Sequence, residues 1–316
     1  MFKNLLIFLL FFTCVIFSQE KYSKEISFVS ENDLYTSTYN DRYYTNGIFL
    51  NYNYVSKRKH KNLVKKIYSW QIGHEMYTPS NAVTQFVNNH DRPFAGYLYA
   101  GFGIKKVYTN NSSFAINYKL GILGPSAFGK ELQNFIHNLY NFPEAVGWQF
   151  QIKNSLAANL QLNYNKFLFK ETTNRFDVTW LNTANAGSVN TNIGSGFIAR
   201  IGFNALQPFS NSIAFNNHLN NQKSTFFRAV ETLLYIKPMV NYVLYDATLQ
   251  GNFLNKGSVV TSFINPVVFR LEVGFLFTAK NVNFGYVFNY NTNKSKDLKN
   301  NTGHTFGAIK LSYLLK

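Results

Sequence analysis

Asn159-Leu160-Gln161-Leu162-Asn163-Tyr164 alternates polar and apolar residues with a period of two. A strand places successive side chains on opposite faces, so the stretch fits a sheet with one wet and one apolar side. The pattern recurs in Ile48-Phe49-Leu50-Asn51-Tyr52-Asn53-Tyr54, in Phe269-Arg270-Leu271-Glu272-Val273-Gly274-Phe275 and in Gly307-Ala308-Ile309-Lys310-Leu311-Ser312-Tyr313. Turn-like clusters separate such segments, among them Thr109-Asn110-Asn111-Ser112 and Asn291-Thr292-Asn293-Lys294-Ser295. Working outward predicts about twelve strands, near 25–33, 43–55, 67–76, 96–108, 113–123, 157–169, 174–186, 189–204, 230–247, 264–279, 281–291 and 304–315. An even count suits a closed antiparallel transmembrane β-barrel, an all-β fold.

Composition agrees. Aromatic residues make up 18% of the chain and charged residues only 15%. That is too aromatic for disorder and too poor in charge for an ordinary soluble surface. A barrel with a lipid-facing exterior and polar loops and lumen accounts for both. Lys3, the apolar run Leu5 to Phe17 and the approach through Cys14, Val15 and Ser18 read as a secretory signal. Residues 1–18 are therefore expected to be a signal peptide and 19–316 one barrel domain without an internal repeat. A lipid anchor at Cys14 is the alternative, but Phe12-Thr13 lacks the small residues it normally follows. Cleavage would remove the single cysteine, leaving no disulfide and no thiolate metal ligand. No later apolar run is long enough for a membrane-spanning helix. The net charge of +16 is not gathered into a basic motif interleaved with stacking aromatics, and export argues against nucleic acid. Attraction to phosphorylated lipid head groups suits both the charge and the location.

One segment departs from the alternation. Ser126 to Tyr140 is predicted as a helix, with Ser126 as N-cap, an apolar stripe of Leu132, Phe135, Ile136 and Leu139 facing the barrel wall, and Pro143 as terminator. Lys130, Gln133 and His137 share one edge of that stripe. With both termini on one side, loops after odd-numbered strands lie at the other end. Asn32-Asp33, Thr45-Asn46-Gly47, Asp91-Arg92-Pro93 and His137 then converge on one rim.

His137 is the candidate general base, since an unperturbed imidazole titrates near working pH; a surface histidine is the plain alternative. Asn32-Asp33 offers hard oxygen ligands suited to calcium, or simply turn chemistry. Glu144 could complete such a site. Arg92 could hold a phosphate bidentately, or pair with Asp91. Tyr43, Tyr44, Tyr97 and Tyr99 are assigned to the aromatic girdle. No nucleophile elbow, P-loop or zinc-protease motif occurs, and His74-Glu75 lacks a second histidine.

Taken in order, these segments resemble the outer-membrane lipid A 3′-O-deacylase family. The residues are Glu31-Asn32-Asp33, Tyr44-Thr45-Asn46-Gly47, Asp91-Arg92-Pro93-Phe94-Ala95-Gly96-Tyr97, Leu123-Gly124-Pro125-Ser126-Ala127-Phe128-Gly129, then Gln133, His137, Gly147-Trp148 and Gln151. They cover about the first half of the chain. The resemblance implies a twelve-stranded barrel whose site lies between the wall and a loop helix. It also implies a Ca2+ requirement and a histidine base, here His137 with Gln133 as its positioning partner. Asn32, Asp33 and Glu144 would be the metal ligands, although Ser155 stands where a further acid is expected. Arg92, Thr45 and Lys130 are assigned to the substrate. The expectation is a monomer in the Gram-negative outer membrane, acting on lipopolysaccharide from the exterior side. An outer-membrane phospholipase and a non-enzymatic, porin-like barrel are the alternatives; the run Lys57-Arg58-Lys59-His60-Lys61 and the terminal Lys316 are unexplained by any of them.

Overall fold

The alternating segments pair in chain order, and the last strand returns to the first to close a barrel of twelve. The computed structural model describes residues 20–36, 42–58, 61–81, 83, 85–300 and 302–316, so the signal segment 1–18 lies outside the described residues. The strands are β1 (Lys24–Asn32), β2 (Tyr43–Val55), β3 (Leu63–Thr78), β4 (Ala95–Tyr108), β5 (Ser112–Leu123) and β6 (Ser155–Lys170). They continue as β7 (Phe176–Gly187), β8 (Asn190–Gly202), β9 (Thr232–Asp246), β10 (Val267–Ala279), β11 (Val282–Asn291) and β12 (His304–Leu315). Closure runs from Lys24 opposite Leu315 to Asn32 opposite Gly307. It leaves no open edge, the condition for placing a sheet in hydrocarbon, where no water can satisfy a stray amide. No described helix is long and apolar enough to cross a membrane.

The period of two sorts the side chains. On β1, Glu25, Ser27, Val29 and Glu31 line the lumen, while Ile26 and Phe28 are exposed outside. On β3, Gln71, Glu75 and Tyr77 point in, and Trp70 and Ile72 point out. One expectation fails here: Tyr43, Tyr44, Tyr97 and Tyr99 do not form a girdle but are buried. Tyr44 donates to Glu31 Oε2 and Tyr99 to Gln71 Oε1 inside the barrel. Parity decides this. Tyr44, Tyr97 and Tyr99 fall on the inward set of their strands, where the Tyr44 and Tyr99 hydroxyls find polar partners.

Both ends of the lumen are filled. At the end carrying the termini, the β8–β9 connection (203–231) folds inward. Its Phe209, Ile213 and Phe215 pack against Leu181, Leu233 and Val287 of the wall. Lys65 Nζ donates to Asn217 O, Leu219 O and Asn220 Oδ1 of this plug. Arg200, fully buried, bridges Asp177 and Glu231 and lies over the Phe215 ring. At the opposite, loop end the β9–β10 connection lies across the mouth and begins with a single helical turn, Ala247–Gln250. Ser262 Oγ donates to Asp91 O, and Asn252 Nδ2 to Ser188 O. Between plug and cover remains a polar chamber of 670 Å³ lined by Glu31, Glu75, Lys119, Arg270 and Lys310 among others.

Candidate active site

The site starts from two glycines. Gly96 lies on the outward set of β4, and a Cβ there would meet Gly129 N at 3.1 Å and the Ala127 Cβ at 3.3 Å. The chain from 125 onward can therefore lie directly on the outer wall. His74, outward on β3, holds it there with Nε2 at 2.8 Å from Ala127 O. A carbonyl can only accept, so this His74 nitrogen is the donor. His74 is a motif fragment in the sequence, and in the fold it pins the loop.

The loop helix, α1, spans Gly129–Tyr140. Pro125–Ala127 is a separate 3-10 turn, so Ser126 is not the N-cap; Phe128, in the left-handed region, occupies that position. Ser126 instead exchanges hydrogen bonds with Asn154, giving its amide to Oδ1 and accepting from Nδ2 at its hydroxyl. At the other end Asn141 adopts φ 56° and closes the helix. Asparagine tolerates this conformation better than most residues, and the reversal leads into Pro143 beside the helix.

The helix is rotated away from the orientation its apolar stripe predicts. Phe135 and Leu139 are 66% and 67% exposed, whereas Gln133 and His137 are 1% and 6% exposed. The buried row is Gly129, Gln133 and His137, spaced by four; Lys130 is exposed and stands apart from it. Trp148 explains the inversion. Its ring packs on Phe94 at 4.8 Å between centroids, within a buried cluster that includes Met76 and Ala145. Its Nε1 donates to Gln133 Oε1 at 2.6 Å, and a Cβ on Gly129 would come within 2.5 Å of the same ring. One indole therefore sets both the approach and the rotation of α1.

Two polar contacts define the chemistry. His137 Nδ1 lies 2.5 Å from Pro143 O. Facing a carbonyl, Nδ1 must carry the proton, which puts the basic lone pair on Nε2. The Trp148 bond similarly orients the Gln133 amide, with Oε1 toward the indole and the NH2 group opposite.

On the neighbouring wall, Asn32 ends β1 on its outward set, directly opposite Asn46 of β2, which in turn faces Met76 of β3. Asn32 Oδ1 caps the following turn by accepting from Leu34 N. Asp33 is fully buried, and its Oδ2 accepts from Arg42 N at 2.7 Å. A bulge between Tyr44 and Asn46 interrupts the β2–β3 register, and Thr45 shares a 2.6 Å hydroxyl contact with Thr78. Asn46 Oδ1 is buried with no hydrogen-bond partner among the described residues. In the sequence Asn46 lies within the Tyr44-Thr45-Asn46-Gly47 motif with no role of its own. The signal was its register opposite Asn32, which only pairing reveals.

The remaining candidates lie elsewhere. Arg92 is buried against the cover of the lumen, donating to Thr248 O and Oγ1 and stacked over Tyr77 at 4.9 Å. Glu144 is exposed and accepts from Asn134 Nδ2 at 3.0 Å. No group of three or more His, Cys, Asp or Glu placed to hold a metal ion occurs among the described residues.

Residues 5–315 match the family model described as outer membrane protein LpxR. The chain belongs to the LpxR family. This is the outer-membrane lipid A 3′-O-deacylase family that its ordered motifs resemble. The solved structure of LpxR from Salmonella typhimurium is similar over 92% of this chain and 99% of that one, with a TM-score of 0.72 and 20% identity. The Bordetella autotransporter BrkA β domain covers 93% of this chain and 98% of its own, at 7% identity and a TM-score of 0.47. No curated protein sequence matches. As an LpxR family member the chain is an outer-membrane barrel with a lipid A deacylase role.

Proposed function

We propose that this chain hydrolyses the 3′-linked acyl ester of lipid A from the outer face of the outer membrane, using a water activated by His137. The observation that carries the reading is the Nδ1 contact of His137 with Pro143 O, which supplies an Nε2 base beside a positioned amide. His137 Nε2 takes a proton from water as the water oxygen attacks the ester carbonyl carbon. Collapse of the tetrahedral adduct breaks the bond to the sugar oxygen, and the imidazolium returns its proton to that oxygen. The products are a free fatty acid and a 3′-hydroxyl. Gln133, held by Trp148, orients the water or the ester.

The oxygens on the wall fit a hard cation. Asp33 supplies one carboxylate, Asn32 and Asn46 supply amide oxygens, and the Asn46 oxygen is buried and without a hydrogen-bond partner among the described residues. Ca2+ takes such mixed sets of carboxylate, amide and backbone oxygens. Held by these residues, it would supply Lewis-acid stabilisation of the carbonyl and its developing oxyanion. Glu144 would have to exchange Asn134 Nδ2 for the metal to take part. The orientation follows from placing the loop end outward and both termini in the periplasm. The plugged lumen lends no support to a porin-like function.

Mass spectrometry of lipid A from cells producing the wild type or His137→Ala tests this. The wild type should remove a 3′-linked acyl group and the variant should not; equal loss in both would overturn the assignment. Activity unchanged by calcium chelation in detergent would remove the metal from the reading.

A further inference from the structure

Gly147-Trp148 and Gln151 belong to the ordered motifs, but the chemistry above uses only the indole nitrogen of Trp148. Trp148 also lines a second cavity of 340 Å³, between the β5–β6 and β9–β10 connections. Gln149, Gln151, Lys153, Asn154 and Asn255 line it as well, and Lys153 is its only charged residue among the described residues. The two connections are tied together at its edge. Asn255 Nδ2 donates to Asn154 O at 2.6 Å, and Lys153 N to Ser258 Oγ at 3.1 Å. Gln151 Oε1 is buried without a hydrogen-bond partner among the described residues. The half-buried Phe150 ring also lines the cavity, and an aromatic ring among several side-chain amides and one cation is the donor set for a phosphorylated sugar. Hydroxyls bond to amides, C–H faces pack on the ring, and the ammonium meets the phosphate.

We propose that this cavity is the head-group subsite, holding the phosphorylated glucosamine ring whose acyl ester is cleaved, with Lys153 on the phosphate and Gln151 on the sugar. The inference rests on the deacylase reading and extends it from the ester to the head group. Trp148 makes the link, because the indole that lines this cavity also positions Gln133. The wall of the head-group cavity and the alignment of the reacting ester thus rest on one side chain.

The test uses the full chain in detergent and, as probe, a phosphorylated glucosamine disaccharide stripped of its acyl chains. Calorimetric titration should show Lys153→Ala and Gln151→Ala each weakening the probe about tenfold, the size of one charge-assisted or buried hydrogen bond. Lys153→Arg should restore most of the affinity. Removing the phosphate from the probe should weaken the wild type but cost Lys153→Ala nothing further. In kinetics, the wild type's preference in kcat/KM for phosphorylated over dephosphorylated lipid A should disappear in Lys153→Ala. An unchanged Lys153→Ala affinity, or equally good binding of inorganic phosphate alone, would overturn the subsite. Probe binding by a wild type that leaves lipid A intact would sink the deacylase reading and keep the subsite. Deacylation with the phosphate preference intact in Lys153→Ala would do the reverse.

Discussion

Trp148 Nε1 donates to Gln133 Oε1 at 2.6 Å with both side chains almost sealed from solvent. Trp148→Phe keeps an aromatic ring on Phe94 but removes the donor. An unsatisfied buried acceptor costs about 1–3 kcal/mol. A loss of that size from transition-state positioning lowers kcat/KM about ten- to a hundredfold. Steady-state kinetics on lipid A should show that drop with the barrel still folded; wild-type rates would mean that Gln133 needs no such support.

Gly129→Ala probes the docking of α1. The new Cβ would sit 2.5 Å from the Trp148 ring, so the helix or the indole must move. Activity should fall at least tenfold, since small misplacements of catalytic groups are costly. The strands are untouched, so heat-modifiable migration of the barrel on gels should match the wild type.

Asn46→Ala removes the buried Oδ1 that has no hydrogen-bond partner among the described residues. If this oxygen serves calcium, the half-saturating calcium concentration should rise about tenfold, as for loss of one ligand in a multi-oxygen site. Activity titrations against free calcium would read the shift. Identical curves for variant and wild type would take Asn46 out of the site.

Arg200→Ala strikes the plug. Asp177 and Glu231 would be left buried without their cation, a change that typically costs about 3–5 kcal/mol. The melting temperature in detergent should drop accordingly. In planar bilayers the wild type should conduct no ions, while replacing 205–229 by a short turn should open a channel. Conductance by the wild type would show that the plug does not seal the lumen.

Lys294, in the β11–β12 connection, has its pKa pushed down to about 8 by burial, with the nearby Arg270 charge adding to the effect. Between about 8 and the ordinary 10.5, the unfolded chain holds a proton that the folded chain has lost. Stability therefore rises with pH through that window, and the cost of the buried ammonium is fully present below it. Lys294→Met should be stabilised relative to the wild type at pH 7, and its advantage should shrink toward pH 10.5. Thermal melts at several pH values would show this, and a constant difference would refute it.

The loop helix shows where sequence reading reached its limit. Its existence, its end before Pro143 and the shared face of Gln133 and His137 were all legible, because helical periodicity is local. Its rotation was not. An amphipathic pattern says which residues are alike, not which solvent lies beyond them. Around a membrane barrel the exterior can be lipid, so exposing Phe135 and Leu139 need carry no penalty, while the polar row turns inward to Trp148. The four tyrosines were misplaced for a related reason: near a barrel rim, residues of one chemistry occur on both sides of the wall.

By itself the sequence determined the barrel, its twelve strands and the gathering of Asn32, Asp33 and His137 toward one end, since alternation and strand parity follow from backbone geometry alone. That Asn46 faces Asn32, that Trp148 turns the helix and that 203–231 closes the lumen emerge only in the folded chain. Those outcomes depend on cross-strand register and on partners such as Lys65 and Arg200, which meet the plug from other strands. No local pattern encodes contacts of that range.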